Sequence, residues 1–161
     1  MQDMKRFFTL LSAMVLFAAA AAAQSVTTPT QNLTLQYKGA RAVGNDVELT
    51  VVLMNNSASE VVLNLVGGVY QTGMAGSIIY DNEGNIYELS DVLVSVGNKS
   101  LTEQYCAGNF PSKTPVKCHI LVKGVASEAA SFAKVKLCFL CPQLDIKNTG
   151  ICFELNNLNI R

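Results

Sequence analysis

Strict alternation of apolar and polar residues is the feature that most constrains the fold of this chain. Within residues 47–53, Val or Leu occupies every odd position, and Glu48, Thr50 and Val52 lie between them. Successive side chains of a β-strand point to opposite faces, so this period of two predicts a strand with one buried face. The turn-forming residues 55–57, Asn-Asn-Ser, end the alternation.

Comparable short segments recur along the chain and are separated by Gly, Asn and Pro turns. Only residues 126–132 of the later chain have a helical composition, and they would form about two turns. The pattern predicts an all-β fold, an antiparallel immunoglobulin-like β-sandwich of about 7–9 strands, with a closed barrel as the alternative. The predicted strands are residues 33–37, 47–53, 61–66, 77–81, 86–89, 92–96, 116–122, 134–140 and 151–155.

The first 23 residues predict export. Lys5 and Arg6 precede an apolar segment at 7–17, and a run of alanines at 18–23 follows it. A short basic region, an apolar stretch and small residues at the cleavage point form a secretory signal peptide. We therefore expect residues 1–23 to be a signal peptide and residues 24–161 to be a single β-sandwich domain, periplasmic or extracellular. No transmembrane anchor is expected in the mature chain.

The balance of charges argues against a polyanionic partner. The full chain carries 12 basic and 12 acidic side chains, and removal of residues 1–23 leaves 10 basic and 11 acidic ones. A near-neutral chain without a basic run is not typical of a protein that binds nucleic acid or an anionic membrane surface.

No residue pattern points to catalysis, a cofactor or a metal. The sequence contains no recognisable Gly-x-Ser-x-Gly motif, phosphate-binding loop or Ser/His/Asp set, so we expect no enzyme activity. His119 lies beside Cys118, but neighbouring strand residues face opposite sides and cannot easily share a zinc ion. The acidic and amide residues at 81–85 resemble a hairpin turn more than a calcium loop.

Five cysteines lie in the mature chain, and in an exported protein they are disulfide candidates. By strand parity, Cys138 and Cys152 both face outward from a predicted hairpin and can pair, which would contribute about 3 kcal/mol. Cys118 and Cys141 face inward, where they could bridge or remain buried thiols. Cys106 lies in a predicted loop and could reach Cys118 or a partner chain. The Cys-x-x-Cys spacing at 138–141 lacks the helix that a thioredoxin-like site needs.

Two stretches resemble a known group of domains. Residues 35–56 combine core alternation with an Asn-rich turn, and residues 80–87 read Tyr-Asp-Asn-Glu-Gly-Asn-Ile-Tyr. Together they are similar to exported bacterial immunoglobulin-like domains of uncharacterised function, over most of residues 32–140. The resemblance rests on turn chemistry and core alternation. It implies a sandwich fold and export from the cytoplasm, and it provides no catalytic residues to compare.

We interpret the chain as a non-enzymatic binding or structural module of the bacterial cell envelope, with loops presented to an unknown protein or glycan. Two glycine-containing loops carry isolated aromatic or apolar side chains that suit recognition on a rigid scaffold. The candidate residues are Tyr70 and Met74 in the loop 67–76, and Tyr105 and Phe110 in the loop 97–113.

Several alternatives remain open from the sequence. The loop aromatics could instead cap the ends of the sandwich. The cysteine cluster could make a thiol-dependent or metal-dependent protein, and the loop 97–113 could inhibit a secreted enzyme. A self-assembling envelope subunit would use the polar leader 25–32 or the tail 156–161 as a donor strand. The sequence indicates no oligomeric state.

Overall fold

The chain folds entirely from β-strands in the part that a computed structural model describes, residues 24–69, 76–145 and 150–161. These residues form eleven strands and no helix. The predicted signal peptide lies outside them. The strands are β1 Ser25–Thr27, β2 Leu33–Val43, β3 Asp46–Asn55, β4 Val61–Val66, β5 Ile78–Asp81, β6 Ile86–Tyr87, β7 Val92–Val96, β8 Tyr105–Phe110, β9 Pro115–Val122, β10 Ser131–Leu140 and β11 Ile151–Asn159.

Two antiparallel sheets pack face to face. The larger sheet has the order β1-β11-β10-β4-β8, with β5 paired to β10 and β6 paired to β5. The smaller sheet has the order β2-β3-β9-β7. Alternate side chains of both sheets point inward and form one apolar core, with Leu49 and Ile120 from the smaller sheet and Leu63 and Phe139 from the larger one. The prediction of an all-β, two-layer architecture is confirmed.

Edge-to-face aromatic pairs stabilise two parts of this core. The rings of Phe139 and Phe153 lie 5.8 Å apart at 88°, and those of Tyr87 and Phe132 lie 6.3 Å apart at 78°. Such pairs contribute roughly 0.5–1.5 kcal/mol each beyond the area they bury. The second pair joins the short hairpin β5–β6 to the long strand β10.

The strand count expected from the sequence is too low, because the alternation reveals neither β1 nor β8. β1 is polar, and it forms by pairing Ser25–Thr27 with residues 154–156 of β11. Both segments that could act as donor strands for a neighbouring molecule therefore have partners inside the same chain: the leader pairs with β11, and residues 156–159 of the tail pair with β10. β8 occupies part of the predicted loop 97–113, where Gly and Asn obscure the alternation.

The predicted helical turns at 126–132 are absent. Ala129 N–H donates to Ala126 O in a tight turn, and β10 begins at Ser131. Asn82 Oδ1 accepts hydrogen bonds from Ala130 N–H and Ser131 N–H, both at 3.0 Å. These contacts hold the segment against the β5–β6 hairpin. Such tertiary contacts outweigh the high helical propensity of Ala and Glu, which stabilises little over so short a segment.

Candidate functional site

The two predicted binding loops meet at one end of the larger sheet. Gly67 N–H donates to Gln104 O at 2.6 Å, and Val69 N–H donates to Glu103 O at 2.9 Å. The start of the loop 67–76 is therefore joined through the backbone to the segment that leads into Tyr105. Residues 70–75, which include Tyr70 and Met74, lie outside the described residues.

A glycine junction, formed by Gly67, Gly68 and Gly76, lets three backbone segments approach closely at this point. A Cβ atom on Gly67 or Gly68 would lie closer than 3.0 Å to backbone atoms of Glu103 or Leu89. A Cβ on Gly76 would lie 2.8 Å from Gly68 O. Only glycine fits such contacts, so the junction packs backbone against backbone. The loop 67–76 thus starts and ends on a tightly packed base.

Ser77 fixes the returning end of the same loop. Its side chain is fully buried, and its hydroxyl donates to Val66 O at 2.5 Å while accepting from Cys138 N–H at 3.1 Å. Ser77 N–H also donates to Gly67 O at 3.0 Å. A buried hydroxyl that is satisfied as donor and acceptor holds its neighbours in one geometry. The returning end of the loop is therefore anchored to β4 and β10.

Tyr105 and Phe110 have opposite environments, although both lie on β8. Tyr105 is 54 % exposed, whereas Phe110 is fully buried among the core residues. Cys106, Gly108 and Phe110 alternate on the buried face of the strand. The prediction of Phe110 as a binding-loop residue is therefore wrong, because the segment is a strand and Phe110 falls on its inner face.

The Tyr105 surface consists of outward-facing residues on β4 and β8. In the antiparallel register, Val62 lies opposite Asn109 and Asn64 lies opposite Ala107, while Tyr105 begins β8 beside them. Val62 is 41 % exposed. A tyrosine ring offers a rigid apolar face, and asparagine amides offer both donors and acceptors. The Tyr105 surface can therefore stack on a flat group and hydrogen-bond to its polar substituents.

Cys138 and Cys152 form a disulfide, as strand parity predicts. They lie directly opposite each other on β10 and β11, with their Cα atoms 4.1 Å apart. The pair lies on the outer face of the larger sheet, away from Leu137 and Phe139. Cys138 is nevertheless only 1 % exposed, so this part of the outer face is covered. The disulfide crosslinks β10 to β11, and Cys138 pairs with Val66, the residue directly before the glycine junction.

The other three cysteines, Cys106, Cys118 and Cys141, are free and buried. Burial, with a smaller effect from the neighbouring Cys106, raises the pKa of Cys118 to about 12. Burial also raises the pKa of Cys141. Cys106 lies on the inner face of β8 rather than in a loop. Neutral, buried thiols are poor nucleophiles and behave as small apolar side chains.

His119 takes part in a charged cluster on the smaller sheet. Its Nδ1 lies 3.0 Å from Glu48 Oε1, and Arg41 Nε donates to Glu48 Oε2 at 2.8 Å. The hydrogen bond from Arg41 is the largest influence that holds the pKa of Glu48 below its ordinary value. Cys118 points into the core on the other face. No group of three or more metal-ligating side chains occurs within the described residues.

The Asp81 turn uses its carboxylate internally. Asp81 Oδ1 accepts from Glu83 N–H and Asn85 N–H, both at 2.9 Å. Asp81 Oδ2 accepts from Asn85 Nδ2 and from the hydroxyl of Tyr87, both at 2.8 Å. An ionised carboxylate has about four lone-pair positions, and these four bonds occupy them. The geometry is that of a self-supporting hairpin turn rather than a calcium site.

Comparisons with known proteins give no family. No protein-family model matches the chain, and no curated protein matches it. Among solved structures, AvmM, which catalyses macrocyclization in alchivemycin A biosynthesis, has a TM-score of 0.44 at 12 % identity, over 81 % of this chain and 89 % of that one. A family 123 glycoside hydrolase from Clostridium perfringens has a TM-score of 0.42 at 11 % identity, over 81 % of this chain and 28 % of that one.

A third similar structure is the N-terminal domain of PorA, with a TM-score of 0.36 at 12 % identity, over 86 % of this chain and 98 % of that one. At these TM-scores and identities, none of the likenesses carries an argument about function. No helix among residues 24–69, 76–145 and 150–161 has the length and apolarity to cross a membrane.

Proposed function

We propose that this chain is an exported, non-enzymatic binding or structural module of the bacterial cell envelope. In this proposal, an immunoglobulin-like sandwich formed by residues 24–161 presents the Tyr105 surface and the adjoining loop 67–76 to a protein or glycan. The signal-like residues 1–23 and the disulfide between Cys138 and Cys152 both support a periplasmic or extracellular address, because disulfides persist in oxidising compartments.

One observation carries the proposal. The hydrogen bonds from Gly67 and Val69 to Gln104 and Glu103 bring two separate segments of the chain together at the exposed ring of Tyr105. Recognition surfaces commonly combine loops on a rigid scaffold, and an exposed tyrosine supplies contact area at low entropic cost. A ring that served only to cap the sandwich would be buried, as Phe110 is.

The thiol-dependent alternative has less support. A nucleophilic cysteine needs a lowered pKa and access to solvent. Cys118 and Cys141 instead have raised pKa values and are fully buried. Their environment favours a structural role.

Site-specific photo-crosslinking in the native host tests the proposal. A benzophenone side chain is placed at position 105 of the full-length protein, because this group inserts into C–H bonds of proteins and glycans alike. The matched control carries it at Ile86, which is 55 % exposed on the β5–β6 hairpin. We expect a discrete crosslinked product from position 105 and none from position 86.

Tyr105→Ala should then weaken binding of the crosslinked partner by about 2 kcal/mol, roughly thirtyfold, as expected for an aromatic anchor. Tyr105→Phe should retain most of the affinity, because it keeps the ring. Equal crosslinking from both positions, or unchanged affinity in Tyr105→Ala, would refute the assignment of this surface.

A further inference from the structure

The outer face of the smaller sheet carries a cleft with an excess of positively charged side chains. The cleft has a volume of about 360 Å³ and lies at the edge strand β2 of the smaller sheet. The Tyr105 surface lies on the larger sheet. Three basic side chains and a single acidic one line it. The residues that matter are Lys38, Gly39, Arg41, Glu48, Thr50 and Arg161.

A β-bulge places two of the basic residues on the same face. Lys38 and Arg41 are three positions apart, so a regular strand would point them in opposite directions. The pairing of β2 with β3 shifts between Tyr37 and Gly39, so that Ala40 turns into the core and Arg41 lies opposite Glu48 on the outer face. Bulges are frequent beside functional sites because they redirect side chains in this way.

Arg161 brings the third basic side chain from the other end of the chain. Its N–H donates to Ala40 O at 3.1 Å, and its carbonyl oxygen accepts from Ala42 N–H at 3.0 Å. These two bonds hold Arg161 beside β2, directly after the bulge. The third basic side chain is thus positioned by backbone pairing and not by chance proximity.

Glu48 pairs with only one of the three basic side chains of this cleft. Its Oε2 atom is paired with Arg41 at 2.7 Å, and its Oε1 atom faces His119 at 3.0 Å. Lys38 Nζ donates to the neutral amide of Gln36 at 3.0 Å. Within the part of the chain that the structure describes, neither Lys38 nor Arg161 has a side-chain carboxylate at ion-pairing distance.

We propose that this cleft binds a single oxyanion group, a carboxylate, sulfate or phosphate, of an anionic ligand. Lys38 and Arg161 supply positive charge that no acidic side chain pairs, Arg41 supplies its remaining N–H donors, and Thr50 supplies a hydroxyl. Glu48 orients Arg41 by accepting from it. Charge-assisted hydrogen bonds to an oxyanion are about twice as strong as neutral ones, and planar guanidinium groups suit them. The inference is independent of the function proposed for the Tyr105 surface.

Titration of the exported protein with sodium sulfate, sodium phosphate and sodium acetate tests the inference. Amide chemical shifts are followed by NMR at constant ionic strength, with chloride as the replacement anion. We expect saturable shifts at residues 38–41, 50 and 161, with a dissociation constant on the order of 1–10 mM for the preferred anion. Tighter binding of sulfate and phosphate would identify a tetrahedral group, and tighter binding of acetate would identify a carboxylate.

Two variants and a matched control complete the experiment. Lys38→Gln and Arg161→Gln should each weaken binding about threefold to tenfold, as expected for an exposed charge contact. Lys123→Gln removes an equivalent charge from a separate cleft beside Tyr87 and Asp91 and should change nothing. Tyr105→Ala should also leave anion binding intact.

Shifts that stay linear up to about 50 mM of every anion, well above the expected dissociation constant, would overturn the inference. An equal loss of affinity in Lys123→Gln would do the same, because it would reveal only a response to net charge.

Discussion

Asp81→Asn should destabilise the fold through two specific hydrogen bonds. The carboxylate is only 3 % exposed and accepts four hydrogen bonds from Glu83, Asn85 and Tyr87 at 2.8–2.9 Å. The substitution keeps one oxygen, which can still accept from the two backbone N–H groups. It replaces the other with an NH₂ group, which can only donate. That group would face the Asn85 amide and the Tyr87 hydroxyl, which both donate here.

The expected loss of stability is about 2–4 kcal/mol. A hydrogen bond to a charged acceptor contributes roughly 1.5–3 kcal/mol, so two such bonds are worth roughly 3–6 kcal/mol. Burial is the largest single influence on the pKa of the Asp81 carboxyl, and it opposes ionisation. The neutral Asn side chain does not carry the cost of burying a charge, and this saving offsets part of the lost hydrogen-bond energy. The hydrogen bonds from Asn85, Tyr87 and Glu83 nevertheless outweigh burial, and the pKa of Asp81 lies below its ordinary value of 3.8.

Urea unfolding at several pH values measures this effect. Because the folded-state pKa is lower than the unfolded one, the ionised carboxylate stabilises the fold fully above pH 3.8, and this stabilisation is lost as the pH falls further towards the folded-state pKa. The difference between wild type and Asp81→Asn should therefore be largest near neutrality and shrink in acid. Asp91→Asn, at an exposed aspartate, is the matched control. A difference below about 1 kcal/mol at neutrality, or one that does not change with pH, would refute the reasoning.

Three further predictions concern the crosslink, the glycine junction and the thiols. Replacing both Cys138 and Cys152 with Ala should cost about 3 kcal/mol by the chain-entropy argument for a 14-residue separation, and a reductant should lower the urea midpoint of the wild type but not of the variant. Gly67→Ala should cost about 1–3 kcal/mol in thermal unfolding, since its Cβ would overlap the backbone of Glu103, and an unchanged midpoint would contradict the close approach. The buried thiols, represented by Cys118, should react with a thiol reagent only at the rate of unfolding, so rapid labelling of the native protein would contradict their burial.

The alternation of side chains between the two faces of a strand explains which features could be predicted from the sequence. Alternation places Cys138 and Cys152 on the same outward face of a predicted hairpin, and the register of β10 with β11 places them opposite each other. The same rule fails for β8, because Gly108 lies on the buried face and offers no apolar side chain to count. Gly108 is small because Val96 of β7 lies against it, and a Cβ atom at position 108 would lie only 2.5 Å from Val96 Cγ1. That contact is between distant parts of the chain, and no local pattern reveals it.

The Tyr105 surface was only partly predictable for a related reason. The sequence pattern indicates the two segments that carry it, because both contain glycines and isolated aromatic or apolar side chains. It could not distinguish Tyr105 from Phe110, since that distinction depends on whether the segment is a loop or a strand. The meeting of the two segments depends on hydrogen bonds from Gly67 and Val69 to residues more than thirty positions later. Such pairings are set by sheet topology and not by neighbouring residues.

The cleft lined by Lys38, Arg41 and Arg161 depends on a change, within β2, from odd-numbered to even-numbered residues on the inward face. The sequence gives only a weak signal of that change. Before the bulge, the inward residues of β2 are odd-numbered, as at Leu33 and Leu35, and after it the buried residue is the even-numbered Ala40. A one-residue shift in a strand moves every later side chain to the other face. Without the bulge, either Arg41 would be buried in the core or the two leucines would face solvent, and both arrangements are costly. A single alanine is too weak an apolar signal to mark the change, so the placement of Lys38 beside Arg41 emerges only from the register with β3.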